Sequence, residues 1–197
     1  MSMSIREQYN IPEDAKVLLY VGNISQNKNQ IQAARAYCLL PAGLREKVHI
    51  LFCGRFNEDD EVAQYVITNN LEDHLHLCGV IPKNEIHHYY QASDATVLLS
   101  YSEGFGLSII EGYANGIPGL MFYDMDAVAD LFDGDSLVVV NDRTDKALAK
   151  GMEELINRRW EPEHIISKSK SFSSEKMAEK YIHFYNRIIK DNKWQNV

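Results

Sequence analysis

The chain has 197 residues, of which 45% are hydrophobic and 24% charged, with a formal net charge of −8. That length buries the core of one domain, and the acidic balance excludes a nucleic-acid surface or a patch for an anionic membrane. No apolar run approaches the ~20 residues of a membrane helix and no signal-peptide core opens the chain, so a cytoplasmic location is expected.

The first fourteen residues are polar and close on the turn Ile11-Pro12-Glu13-Asp14. The unbroken apolar run Val17-Leu18-Leu19-Tyr20-Val21 predicts a strand over 16–22, of the kind buried on both faces of a parallel sheet. A polar loop follows, then a helix over 28–40 with Ile31, Ala34, Tyr37 and Cys38 on one face. Strands are expected at 48–54, 75–80, 96–101, 119–123 and 136–140. Helices are expected at 61–70, 83–92, 107–115, 145–157 and 174–191. Alternating strands and helices imply an α/β, Rossmann-like, doubly wound sheet of about six mostly parallel strands with helices on both faces. In that topology the first and fourth strands are neighbours, and the loops leaving their carboxyl ends converge on one crevice.

The loop after the fourth strand is the most distinctive stretch, Ser102-Glu103-Gly104-Phe105-Gly106-Leu107-Ser108-Ile109-Ile110-Glu111-Gly112. It joins a buried strand to a helix start through glycines. Unpaired N–H groups and the positive end of the helix dipole suit a phosphate there, and glycines let it approach the backbone. No Gly-Lys-Ser/Thr follows, and the Gly-x-Gly-x-x-Gly spacing of a dinucleotide fingerprint is absent. Glu103 and Glu111 flank the turn, and a carboxylate accepts hydrogen bonds from vicinal hydroxyls. Phosphate plus hydroxyl recognition points to a nucleotide sugar.

Glu103 to Glu111, enclosing Gly104-Phe105-Gly106-Leu107, resembles the E-x7-E motif of the group 1, or family 4, retaining glycosyltransferases with the two-domain GT-B fold. Tyr20-Val21-Gly22-Asn23 to Gln30, Val80 to Ser100 and Gly116-Ile117-Pro118 extend the resemblance to that family's C-terminal, nucleotide-sugar-binding domain. The resemblance implies that Lys28 stabilises the diphosphate leaving group and that Glu103 faces hydroxyls of the donor sugar. It implies that Glu111 accepts from the ribose, that Gly106, Leu107 and Ser108 offer N–H groups to the phosphates, and that the main chain at Gly79-Val80-Ile81-Pro82 meets the base. Packing is the rival reading for Val80 and Ile81. Lys28 matches the Lys of the family's R-x4-K, but Asn23 stands at the Arg position. An amide can bond a phosphate but carries no charge, so a compensating cation is expected, and Arg55 and Arg143 are candidates by position. The loop after 119–123 also departs, with Tyr123-Asp124-Met125-Asp126 where the family has a small, glycine-bearing loop.

No cofactor and no metal are expected. His87 and His88 are adjacent rather than at i, i+4, so their rings should diverge, one half-buried and one solvated. His74 and His76 can share a strand face but lack a third ligand, and Cys38, Cys53 and Cys78 read as reduced thiols. The expected organisation is a leader and linker end over 1–14, a nucleotide-sugar-binding domain over 15–175, and a helix over 176–197 that can cross to a missing N-terminal domain. That domain would supply the acceptor site, so the chain alone should bind donor and transfer little. A non-catalytic nucleotide-binding module, or a GT-B nucleotide-sugar epimerase or hydrolase, are the alternatives.

Overall fold

Val17 to Val21 lie at the centre of the sheet because strands flank them on both sides and helices cover both faces. The computed structural model describes residues 3–191, so positions 1–2 of the expected leader and 192–197 of the expected C-terminal segment lie outside the described residues. The strands are β1 (Lys16–Val21), β2 (Val48–Cys53), β3 (Leu75–Gly79), β4 (Ala95–Leu98), β5 (Gly119–Phe122) and β6 (Leu137–Val140). All pair in parallel, in the order β3-β2-β1-β4-β5-β6. The expected Rossmann-like, doubly wound sheet is therefore observed, and its order reverses between β1 and β4.

Three helices cover one face, α2 (Gln30–Cys38), α4 (Glu61–Thr68) and α8 (Asp145–Asn157), with α2 packed against both of the others. The opposite face carries α1 (Ile5–Gln8) and α5 (Ile86–Gln91), with Tyr89 and Tyr90 packed over Val17, Leu19 and Leu51. Helix α6 (Leu107–Ala114) packs on β4 and β5 on this second face. A Cβ on its Gly112 would lie 2.6 Å from the Thr96 side chain, so only glycine allows this approach. Short helices α3 (Ala42–Arg45), α7 (Val128–Leu131) and α9 (Pro162–Ser169) complete the layers. With four residues each, α1, α3 and α7 are too short to show a helical period in the sequence.

Three elements end differently from the sequence reading, each for a local reason. Helix α2 begins at Gln30 rather than at Lys28, because Asn29 adopts a left-handed conformation (φ 57°) and residues 26–29 form a turn. Strand β4 stops at Leu98 because the Leu99 N–H is taken by the buried Tyr20 hydroxyl at 2.9 Å. The expected helix over 83–92 shrinks to α5, as residues 83–85 form a turn.

The segment before β1 is held on the sheet. Ile5, Tyr9 and Ile11 pack into the second-face core, and Arg6 binds Asp94 at 3.1 Å. Helix α10 (Ser174–Asp191) contacts little beyond the 3-10 turn Lys170–Phe172, and it leaves Tyr181, Ile182, Phe184, Tyr185, Ile188 and Ile189 exposed. Among the described residues no helix is long and apolar enough to cross a membrane.

Candidate functional site

The reversal between β1 and β4 brings the loops after them together, and side chains then stitch the two. Asn27 makes a reciprocal pair with Ser102, donating to its carbonyl and accepting from its N–H, both at 3.1 Å. The Tyr101 N–H donates to the Asn27 carbonyl at 2.8 Å. Lys28 and Glu103 form an ion pair across the seam, 27% and 20% exposed. Beneath them the fully buried Tyr20 donates its hydroxyl to the Lys28 carbonyl and accepts from the Leu99 N–H. Burial raises the Tyr20 pKa, which keeps that hydroxyl a donor.

Helix α6 starts on Gly106, whose left-handed backbone (φ 71°, ψ 42°) brings no capping side chain. The N–H groups of Ile109 and Ile110 turn back to the Gly106 carbonyl, at 3.0 and 3.3 Å. Among the described residues nothing accepts from Leu107 or Ser108 N–H, so two donors and the positive end of an eight-residue helix face the crevice. Gly104 leaves its surroundings open, whereas a Cβ at Gly106 would meet Leu131 at 2.9 Å. Phe105 turns away and packs edge-on against Phe172, with centroids 5.9 Å apart, so its ring anchors the loop.

Glu111 is exposed on α6, and its Oε2 accepts from the Tyr90 hydroxyl at 2.6 Å. Val80 follows Gly79 at the carboxyl end of β3 and is 67% exposed, which removes the packing reading for its side chain. The Gly54 N–H donates to the Gly79 carbonyl, and a Cβ on Gly54 would collide with the Gly22 carbonyl. Glycines thus hold the ends of β1, β2 and β3 in backbone contact beside the crevice.

Asn23 spends its side-chain carbonyl within the fold, accepting from the Arg55 N–H at 3.0 Å. The Ile24 N–H returns to the Arg55 carbonyl at 2.9 Å, so Arg55 is fixed directly across from Asn23 with its side chain exposed. Arg143 is not a spare cation. Its guanidinium forks onto Asp124 at 2.7 and 2.8 Å, donates to the Leu99 and Ser100 carbonyls, and lies 4.5 Å from the Phe122 ring centroid. Hydrogen bonds from Arg143 hold the Asp124 carboxyl below its usual range. The Tyr123-Asp124 departure in the sequence is therefore half of a buckle under β4 and β5.

The structure brings Asn23, Lys28, Val80, Glu103, Gly104, Gly106, Leu107, Ser108 and Glu111 to the carboxyl edge of the sheet, and it turns Phe105 toward the C-terminal segment. Sequence reasoning missed Tyr20, Asn27 and Tyr90. A tyrosine in an apolar run and an asparagine in a polar loop carry no mark of what their polar atoms will meet. His87 and His88 also differ from expectation: both are exposed and their rings lie 3.8 Å apart. Among the described residues no cluster of three or more His, Cys, Asp or Glu is placed to hold a metal.

Comparison with known proteins agrees with this geometry. The chain is 27% identical over 174 residues to the O-antigen chain mannosyltransferase B of Escherichia coli, covering 86% of this chain and 45% of that one. It is 26% identical over 194 residues to the N-acetyl-alpha-D-glucosaminyl L-malate synthase of Bacillus anthracis, covering 96% and 50%. The chain thus spans about half the length of these curated relatives. Its fold superposes on HepE of Anabaena, solved in complex with UDP and glucose, with a TM-score of 0.72 at 21% identity, over 87% of this chain and 47% of that one. The sequence profile of the glycosyl transferases group 1 matches residues 2–172, and the chain belongs to that family of glycosyltransferases.

Proposed function

We infer that this chain is the donor-binding half of a retaining glycosyltransferase that moves a sugar from a nucleotide-diphosphate sugar to a polysaccharide, lipid or small-molecule acceptor. The observation that supports this most is the stitched pair of loops. They set the Lys28–Glu103 ion pair beside two unpaired helix N–H groups, with Glu111 one turn further along α6. In this reading the Lys28 ammonium and the Leu107 and Ser108 N–H groups take the diphosphate. Glu111 takes the ribose hydroxyls, Glu103 faces the donor sugar, and the main chain at Gly79 and Val80 meets the base. As the glycosidic bond breaks, charge grows on the diphosphate, and a fixed cation with oriented N–H groups stabilises it without a metal. Retention and the absence of a cofactor rest on the family resemblance. The relation to HepE, a protein seen with UDP and glucose, supports the donor class. A cytoplasmic location accords with such a donor.

The acceptor site, in this reading, belongs to an N-terminal GT-B domain, and the exposed apolar side chains of α10 suit a helix within 176–197 that crosses to it. Arg55, held across from Asn23, supplies the cation that Asn23 lacks. The test is calorimetric titration of UDP, GDP, ADP and their sugar conjugates into the chain and into Glu111→Ala. Saturable binding of one nucleotide, weakened in the variant, is the expected result, together with negligible transfer by the chain alone. No binding by any of them overturns the reading.

One observation favours a second reading, a nucleotide-binding module without chemistry: the Asn23 carbonyl is committed to Arg55 rather than left for a ligand. In the complete protein, Asn23→Arg separates the two. A large gain in turnover marks a degraded site, and no gain marks compensation by Arg55.

A further inference from the structure

We propose that Tyr90 is the positioning residue for Glu111, and that its buried hydroxyl strengthens the preference of the site for a ribose over a sugar that lacks the cis-diol. The inference rests on the donor-binding reading above and adds a residue to it. Tyr90 is 2% exposed, and its ring is wedged with Val17, Leu19, Leu51 and Cys53 in the second-face core. It cannot swing, so its hydroxyl is a fixed point at the edge of that core. From there it reaches from α5 to α6 and donates to Glu111 Oε2 at 2.6 Å.

Glu111 itself is exposed on α6, and a free glutamate loses rotamer entropy when a ligand orders it. The Tyr90 hydroxyl removes that loss by ordering the carboxylate beforehand. It also takes only one lone pair. Among the described residues nothing else donates to the carboxylate, so Oε1 and the second Oε2 lone pair can accept from two vicinal hydroxyls. Burial and the Glu111 carboxylate both raise the Tyr90 pKa, so the phenol stays protonated and the proton stays between the two oxygens. The pair is therefore a preset acceptor for a cis-diol, with its hinge in the core.

The test compares the wild-type chain, Tyr90→Phe, Glu111→Ala and the double variant. Each is titrated with UDP, GDP and ADP and with their 2′,3′-dideoxy counterparts. Wild type should favour the ribonucleotide by about tenfold, the equivalent of one good hydrogen bond. Tyr90→Phe should narrow that ratio while leaving the affinity for the dideoxynucleotide, which offers Glu111 no hydroxyl, unchanged, and it should add nothing in the Glu111→Ala background. A Tyr90→Phe chain that binds both sugars more weakly but keeps the ratio shows a packing role and overturns the proposal. A wild type that binds diphosphates without any ribose preference also overturns it, yet leaves the donor-binding reading standing. A wild type that binds no nucleotide removes both. If circular dichroism shows Tyr90→Phe unfolded, 3-fluorotyrosine in place of Tyr90 changes only the acidity of the hydroxyl. The ribose preference should then shift, and an unchanged ratio counts against the proposal.

Discussion

Lys28 and Glu103 neutralise each other across the loop seam, and both are largely withdrawn from water. The Glu103 carboxylate is thus the partner that any anionic ligand of Lys28 has to displace. In the proposed donor-binding reading a diphosphate at the α6 N-terminus competes with Glu103 for Lys28, and this separates the two residues experimentally. Lys28→Ala should weaken nucleoside diphosphate binding by roughly ten- to a hundredfold, the range of a lost charge-assisted contact. Glu103→Gln should leave the bare diphosphate bound as well or better, but should remove the extra affinity of the sugar conjugate. Calorimetry with nucleotide and nucleotide sugar reads both effects, and an equal loss for the two ligands in Glu103→Gln would contradict the assignment. Tyr20 acts below this pair. Tyr20→Phe keeps the ring but strands the Leu99 N–H and the Lys28 carbonyl in a dry site, at a cost of about 1–3 kcal/mol. Its melting temperature should fall by several degrees, and nucleotide affinity should fall with it because the Lys28 turn loses its tether. A fall in stability with unchanged affinity would show that the turn holds without Tyr20.

Strands β2 and β3 carry a histidine cluster that belongs to stability rather than to the site. His49 Nδ1 and His76 Nε2 lie 3.1 Å apart with rings nearly parallel (2°), and the His49 and His74 centroids are 4.7 Å apart. One ring nitrogen must donate and the other accept, so at least the accepting imidazole is neutral and the pair cannot hold with both rings protonated. Burial pushes both His49 and His76 down to about 4 from their ordinary value of 6.5, with the neighbouring His74 adding to the effect. The unfolded chain binds protons near pH 6.5 while the folded chain resists them until about pH 4. The stabilisation is therefore full above pH 6.5 and is lost as pH falls towards 4. The melting temperature should decline across that window, and the decline should shrink in His76→Gln, where an amide replaces one titrating ring. Equal declines in the two proteins would assign the pH sensitivity to the carboxylates instead.

For the molecule as a whole, the sheet and its two helical layers form a closed unit, and α10 lies outside it. Tyr181, Ile182, Phe184 and Tyr185 stay more than half exposed on α10, so they add little to the stability of the sheet. A chain shortened before Ser174 should keep its circular dichroism melting temperature to within about 3 °C and should self-associate less than the full chain. A loss of cooperative melting would show that α10 supports the core after all. The same architecture explains which parts of the fold were legible in advance. The apolar runs of β1, β2 and β4 and the period of α8 announce themselves, because burial on both faces or on one stripe constrains every residue in the run. Helices α1, α3 and α7 have four residues each, too few for a period, and their form comes from the neighbours they pack on.

The sequence by itself determined the order of strands and helices, the glycine turn at Gly104 to Gly106, and the placement of Lys28, Glu103 and Glu111 on loops and a helix that the topology must bring together. These follow from local periodicity and from the right-handed crossover between parallel strands, which leave few alternatives. Only the tertiary structure decided which polar atoms meet. It joined Tyr20 to the Lys28 turn, Asn27 to Ser102 and Tyr90 to Glu111, contacts that span 8, 75 and 21 residues of sequence. It also committed Arg143 to Asp124 and Asn23 to Arg55, although position in the chain made each look free for a phosphate. A hydrogen bond depends on tenths of an ångström and on direction, and no periodicity in the sequence encodes either.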